Sequence, residues 1–257
     1  MSKLITIIQP DHANEDGFDR VLSFLRGELL MGRLKSGDRL LPERDLAGAL
    51  GVSRPVIREA LRALATLGAL EIRRGYGTVV QSPNFSALGD YLSLVLAQQA
   101  GGVDDVMQTR IAIERQAIRL ACSRALRPDL DRVSQALQVI RETIDDPDQG
   151  AAADFHFHTM IVEAAHSPAL SSVYAAIAKL LQQSHLERRQ SIASVPHADS
   201  HLIDHHEAIL SAIRRKNASE ADALLVEHFE IGANLREEAA LAKAQRRGRQ
   251  RIKQPSS

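Results

Sequence analysis

The stretch at positions 40 to 64, LLPERDLAGALGVSRPVIREALRAL, restricts the fold more than any other part of the chain. Pro42 opens a short helical pattern, Gly51 stands where that pattern stops, and a second pattern starts at Arg54. A proline in a first turn removes only a donor that has no intrahelical partner, and a glycine just past a last turn adopts the left-handed conformation at little cost. Ser53 is placed to cap the second helix, its hydroxyl accepting a free backbone N–H, and that helix is expected over residues 54 to 67.

The flanks complete a recognisable unit. Upstream, Phe18, Val21, Leu22, Leu25 and Leu29 recur at helical spacing, and the stripe ends near Gly32. Downstream, ALEIRRGYGTVVQ holds two short β-prone pieces, 69 to 72 and 78 to 81, around a glycine turn, which is a hairpin pattern. Helix, tight turn, capped helix and hairpin within about 65 residues is the order of a winged helix-turn-helix. In the second helix Ile57, Ala60, Leu61 and Leu64 form an apolar stripe, while Arg54, Arg58 and Arg62 line a neighbouring one. Guanidinium groups there can pair with guanine edges or phosphates. From Arg33 to Arg74 nine basic residues face five acidic ones, whereas the whole chain carries 32 of each, so any basic surface is local. A lone Arg-x-x-x-Arg is commonly just a solvated helix face; here turn, cap and hairpin follow in order and favour DNA.

At 257 residues the chain has room for two domains. Its one cysteine, Cys122, excludes an intrachain disulfide and fits a reducing compartment. LITII at the start is short for a signal segment, and no apolar run approaches the roughly 20 residues that cross a bilayer, so a cytoplasmic protein without membrane association is expected. SPNFS reads as a linker, and beyond residue 85 Ala, Leu, Glu, Gln and Arg dominate at helical spacing with no convincing strand. Six breaks between there and residue 220 imply six or seven helices. The expected fold is therefore mainly α. A winged helix-turn-helix domain spans 1–82 with its core at 17–82, an all-helical bundle spans 83–240, and a basic disordered tail, KAQRRGRQRIKQPSS at its heart, spans 241–257.

Three histidines fall on inward faces of different helices. His158 has Asp154, Phe155, Ile161 and Val162 one turn away; His206 has Leu202, Ile203, Ile209 and Leu210; His228 has Leu224, Leu225 and Ile231. A single inward histidine is usually a hydrogen-bonded core residue. Three of them, with Asp154 on the face of His158, are better satisfied together by a divalent metal, for which neutral imidazole and carboxylate are suitable ligands. His201 and His205 are expected nearer the rim. Arg110 also lies on an apolar face with Val106, Met107, Ile113 and Ala117, and Glu114 follows one turn later. That pair is either a structural ion pair or part of a site for a small carboxylate, which could ligate a metal and pair with the guanidinium.

The segment GRLKSGDRLLPERDLAGALGVSRPVIREALRALATLGALEIRRGYGTVV closely resembles the N-terminal domain of GntR-family transcription regulators. DFHFHTMIVEAAHSPAL, HHEAILSAIRRKNASEADALLVEHF and RIAIERQAIRLA resemble elements of the helical FCD effector domain in the FadR-like subfamily, with Ser167 standing where that family often has Asn. The resemblance implies DNA contacts from Arg44, Ser53, Arg54, Arg58, Arg74 and Gly75, with Arg73 a weaker case. It implies metal ligation by Asp154, His158, His206 and His228, zinc first and nickel second, and it makes Arg110 the candidate effector-binding residue. The function it implies is a homodimeric regulator, expected as a repressor, that binds a palindromic operator and senses a small organic acid. One rival is a regulator for which the metal itself is the signal. Another is a metal-dependent enzyme, which would need a general base near the site; Glu163 lies off the inward face and no other carboxylate obviously converges.

Overall fold

The computed structural model describes residues 16–82, 85–99, 102–193, 195 and 198–252, without the side chains of 102–104, 198–200 and 245–252. The chain forms two compact units, Met1–Tyr91 and Leu92–Ser257. The division between them falls within the span of α4 (Ser86–Ala97).

The first unit holds α1 (Gly17–Leu30), α2 (Glu43–Leu50), α3 (Arg54–Thr66), β1 (Leu70–Arg73) and β2 (Gly77–Val80). Val21, Leu25, Leu46, Leu50, Ile57, Leu61, Leu64, Leu70 and Val80 close one core. Gly51 ends α2 in the left-handed region at φ 63°. Ser53 has the extended backbone of a cap, yet its side chain makes no capping bond, contrary to expectation. Capping hydroxyls seek the N–H of the second or third helical residue, and Pro55 at the second position removes one of those two donors. The two strands pair antiparallel from Leu70 opposite Val80 to Arg73 opposite Gly77, within a residue of the expected pieces. An additional bridge joins Arg39 to Val79, and the Leu40 N–H donates to the Thr78 carbonyl at 2.9 Å.

Beyond α4 the second unit holds α5 (Gly102–Arg124), α6 (Arg127–Glu142), α7 (Pro147–Ala164), α8 (Pro168–Ala176), α9 (Ala178–Ile192), α10 (Ala198–Arg214) and α11 (Ala218–Ile252). Among the described residues after 85 there are thus eight helices and no strand. The helix beyond the expected six or seven comes from a break at Ile177, with φ −99° and ψ 3°, where neither glycine nor proline marks it in the sequence. Elsewhere the punctuation is chemical: Asp146 caps α7 by accepting from the backbone N–H groups of Asp148 and Gln149 at 2.9 and 3.0 Å. One core joins Ile118, Leu137, Phe157, Ile161, Ile209 and Leu225; a second joins Ala117, Val162, Tyr174 and Leu181. Residues of α5 and α7 enter both cores, so whatever those helices carry between them is held from two sides. Cys122 is buried and unpaired by any disulfide, its thiol pushed up by burial.

The last helix corrects the reading of residues 241 onward as a disordered tail. α11 continues to Ile252, because Ala, Leu, Lys, Gln and Arg are all good helix formers and the helix is already nucleated; residues 253–257 lie outside the described part. Near its start Asp222 ties α11 to α5, accepting from Arg115 Nε and Nη2 at 2.8 Å each and from Arg119 Nη2 at 2.5 Å. The bond from Arg115 leads in lowering its pKa to about 2. A lowered carboxylate pKa stabilises the fold above the unfolded-state value of about 3.9 and loses that contribution as pH falls. Asp222→Asn should therefore destabilise the protein by about 1–2 kcal/mol at pH 7, the arginines being half exposed. In urea unfolding, the gap between parent and variant should shrink below about pH 4.

Candidate functional site

On α3 the apolar stripe of Ile57, Ala60, Leu61 and Leu64 is buried, and Arg54, Arg58 and Arg62 are exposed, as the spacing required. Arg58 does more than face solvent. Its Nη2 and Nε donate to Glu43 at the start of α2, at 2.9 and 3.2 Å, so the guanidinium is held in place across the turn. That hydrogen bond is the main reason the Glu43 carboxyl lies below its usual range. Arg44 is largely exposed, and its Nε donates to the neighbouring Asp45 Oδ1 at 3.1 Å. Arg74 is exposed beside Gly75, whose φ of 75° makes the wing turn, while Arg73 is held by Glu71 at 2.7 Å. Sequence reasoning passed over Tyr76 at that tip: the guanidinium of Arg39 lies 4.8 Å from its ring centre, over Gly77, where a Cβ would come within 3.1 Å of Arg39 Nε.

In the second unit Asp154 and His158 on α7, His206 on α10 and His228 on α11 come together, each offering one ligand atom within 4.8 Å of the others. The three histidines are buried. Partners on Nδ1 place a proton there in two of them. His206 Nδ1 meets the Leu202 carbonyl at 2.6 Å and must donate to it; His158 Nδ1 meets Glu114 Oε2 at 2.6 Å and donates likewise. His206 Nε2 lies within hydrogen-bonding distance of Asp154 Oδ1, at 2.8 Å, and His158 Nε2 lies 3.5 Å from the same oxygen. Burial lowers the pKa of His206, and lowers that of His228 further with help from His206 and His158, so neutral rings are favoured. Burial pushes the Asp154 carboxyl up, but His185 and the neighbouring imidazoles more than offset it and hold the group well below its usual range. Among the described residues His158 Nε2 and His228 Nδ1 have no hydrogen-bond partner. The residues fit a divalent metal.

Arg110 is fully buried, and its neighbour Glu114 corrects the view that no other carboxylate converges. Glu114 Oε1 accepts from Arg110 Nε at 2.7 Å and from the Tyr174 hydroxyl at 2.8 Å, while Oε2 takes the His158 ring. Burial would raise the Glu114 pKa, but Arg110 and His158 drive it far down, so the group is an anion and a poor proton acceptor at neutral pH. Arg110 therefore forms the ion pair that its spacing suggested, yet Nη1 and Nη2 remain without partners. Its Cζ lies 4.7 Å from the centre of the Phe229 ring. Glu163 is exposed and His201 lies at the surface, as expected. Sequence reasoning missed Glu114 as a partner of His158, and it missed His185 and Arg188 on α9, because the polar run QQSHLERR conceals which face turns inward.

A winged helix-turn-helix followed by a helical unit with a buried His/Asp cluster defines a class of ligand-responsive transcription regulators. The chain matches the bacterial regulatory proteins of the gntR family over residues 19–80 and the FCD domain over residues 105–231. It is 30% identical over 227 residues to the putative L-lactate dehydrogenase operon regulatory protein of Escherichia coli (strain K12), covering 87% of this chain and 86% of that one. It is 29% identical over 199 residues to the HTH-type transcriptional regulator LutR of Bacillus subtilis (strain 168), covering 77% and 91%. Among solved structures, Streptococcus agalactiae GntR superposes with a TM-score of 0.66 at 25% identity, covering 84% of this chain and 99% of that one. The chain belongs to the GntR family of transcription regulators, with an FCD domain, and is not an enzyme.

Removing the charge of Glu114 leaves the Arg110 guanidinium buried without its main counterion. Glu114→Gln should destabilise the second unit by about 3–5 kcal/mol in denaturant unfolding, and the double change Arg110→Met, Glu114→Leu should recover most of that loss.

Proposed function

We propose that this regulator binds a palindromic operator as a homodimer and responds to a small carboxylate held beside a divalent metal in its helical domain. The observation that carries the reading is the convergence of His158 and His206 Nε2 on Asp154 Oδ1, together with buried atoms that lack a hydrogen-bond partner among the described residues: His158 Nε2, His228 Nδ1, and Nη1 and Nη2 of Arg110. Asp154, His158, His206 and His228 would hold the ion, zinc in the first instance and nickel as the alternative. Bound there, it supplies a Lewis-acidic partner for a carboxylate oxygen. Arg110 binds and orients that carboxylate through Nη1 and Nη2, its own position fixed by Glu114 and by Phe229. The Escherichia coli relative is named for an L-lactate dehydrogenase operon, which makes L-lactate the first acid to test. No helix among the described residues is long and apolar enough to cross a membrane, in keeping with a cytoplasmic regulator.

On the DNA side Arg54 and Arg58 reach base edges from the start of α3, and Arg44, Ser53 and Arg74 contact phosphates, with Gly75 letting the wing backbone come close. The Ser53 hydroxyl is free for this because it makes no cap bond. Effector binding alters helix packing around Asp154 and, through differential affinity for two arrangements of the dimer, changes operator occupancy in the manner of a repressor.

A small carboxylate at 100 times its Kd should stabilise the metal-loaded protein by about 2.7 kcal/mol in thermal denaturation and do little to chelator-stripped protein. Stabilisation by metal with no response to any acid, together with operator binding that tracks free metal, would overturn the effector reading in favour of a metal sensor. No effect of metal would remove the metal from the account. In parallel, Arg54→Ala should weaken operator binding by about 1–3 kcal/mol at fixed salt and relax discrimination at the base it reads, measured by titration against operator and scrambled duplexes.

A further inference from the structure

Asp154 has two carboxylate oxygens, and the fold divides them. Oδ1 faces the imidazoles of His206 and His158, at 2.8 and 3.5 Å. Oδ2 faces α9, where it accepts from His185 Nδ1 at 2.6 Å and from Arg188 Nη2 at 2.8 Å. His185 is buried and its ring packs edge-on to Phe155, one residue beyond Asp154. Arg188 reaches the same oxygen over Gly232 of α11, where even a Cβ would come within 3.7 Å of Nη1. A carboxylate can only accept, so His185 carries its proton on Nδ1, and two donors from one helix saturate Oδ2.

We infer that His185 and Arg188 are positioning residues for the metal tetrad, holding Asp154 so that a single oxygen, Oδ1, is offered to the ion. The inference rests on the metal reading of the tetrad and goes beyond it, because neither α9 residue is a ligand. Two effects follow from the geometry. The donors fix the rotation of the carboxylate before any ion arrives, so less ordering is required on binding. They also occupy the oxygen that would otherwise turn toward the ion and take a position a ligand could use. An ammonium in place of the Arg188 guanidinium would keep the charge, but it is a compact donor on a flexible stem and holds this orientation less well.

The test is titration of the full chain with Co2+ alone, followed by its visible absorption and by competition with a chelating indicator, for the parent, His185→Ala, His185→Asn and Arg188→Lys. His185→Asn retains an amide N–H near the place of Nδ1. The expected result is that His185→Ala weakens Co2+ binding by about 10- to 100-fold and changes the intensity of the visible bands, which report the number of ligands, whereas His185→Asn restores most of both. Arg188→Lys should fall between the two. Parent-like affinity and bands in His185→Ala overturn the inference while leaving the tetrad intact. An equal loss of affinity in His185→Ala and His185→Asn, with unchanged bands, also overturns it, since that pattern reports packing of α9 rather than a bond to Asp154. Failure of the parent itself to bind Co2+ overturns the metal reading, and this inference with it.

Discussion

One ionised carboxylate, Asp154, sets the terms for the second unit. It is enclosed by His158, His185, His206 and Arg188, contributed by three helices, and an isolated charge at that depth would be prohibitively costly. Its neighbours compensate from two directions. Donors from α9 satisfy one oxygen, and imidazole nitrogens from α7 and α10 converge on the other. The first half of this arrangement is an ordinary buried hydrogen-bond network. The second half leaves His158 Nε2 and His228 Nδ1 without a hydrogen-bond partner among the described residues, and α7, which carries Asp154 and His158, is held by both apolar cores of the unit.

The helix-turn-helix unit works by a different economy of means. Its candidate DNA-contact residues are exposed, and what positions them is backbone geometry: the left-handed Gly51, the proline-started α3 and the hairpin tied back by the bridge between Arg39 and Val79. Arg58 is the exception, since its pairing with Glu43 spans the turn and sets the direction of the guanidinium as well as helping hold α2 on α3. Such a bond at a half-exposed site is worth little in stability, and its value lies in orientation.

How much of this was legible beforehand differs by kind of interaction. Periodicity and punctuation placed α1 to α3 and the hairpin within a residue or two, because those signals are local: Pro42, Gly51 and the stripe Ile57, Ala60, Leu61, Leu64 act on their own neighbours. The four tetrad residues were legible for a related reason, each being a polar group on an otherwise apolar face. Glu114, His185 and Arg188 were not. Their roles depend on contacts across 31 to 44 positions, and two of them sit in the polar run QQSHLERR of α9. The break at Ile177 escaped notice because packing, not a residue with special backbone preferences, makes it. The missing cap at Ser53 was readable in principle, since Pro55 removes one of the two N–H groups that the hydroxyl could have reached.

Glu114 joins what the rest of the site keeps apart. One of its oxygens holds Arg110 and the other holds His158, so the group that would grip an organic acid and a group that would grip a metal share a single anion. Charge drawn from that anion at one end is felt at the other. For two ligands bound across such a bridge, thermodynamic linkage is reciprocal: whatever factor the ion contributes to affinity for the acid, the acid returns to affinity for the ion. A cell using this site would then measure neither quantity alone, but the product of a nutrient signal and its own supply of metal.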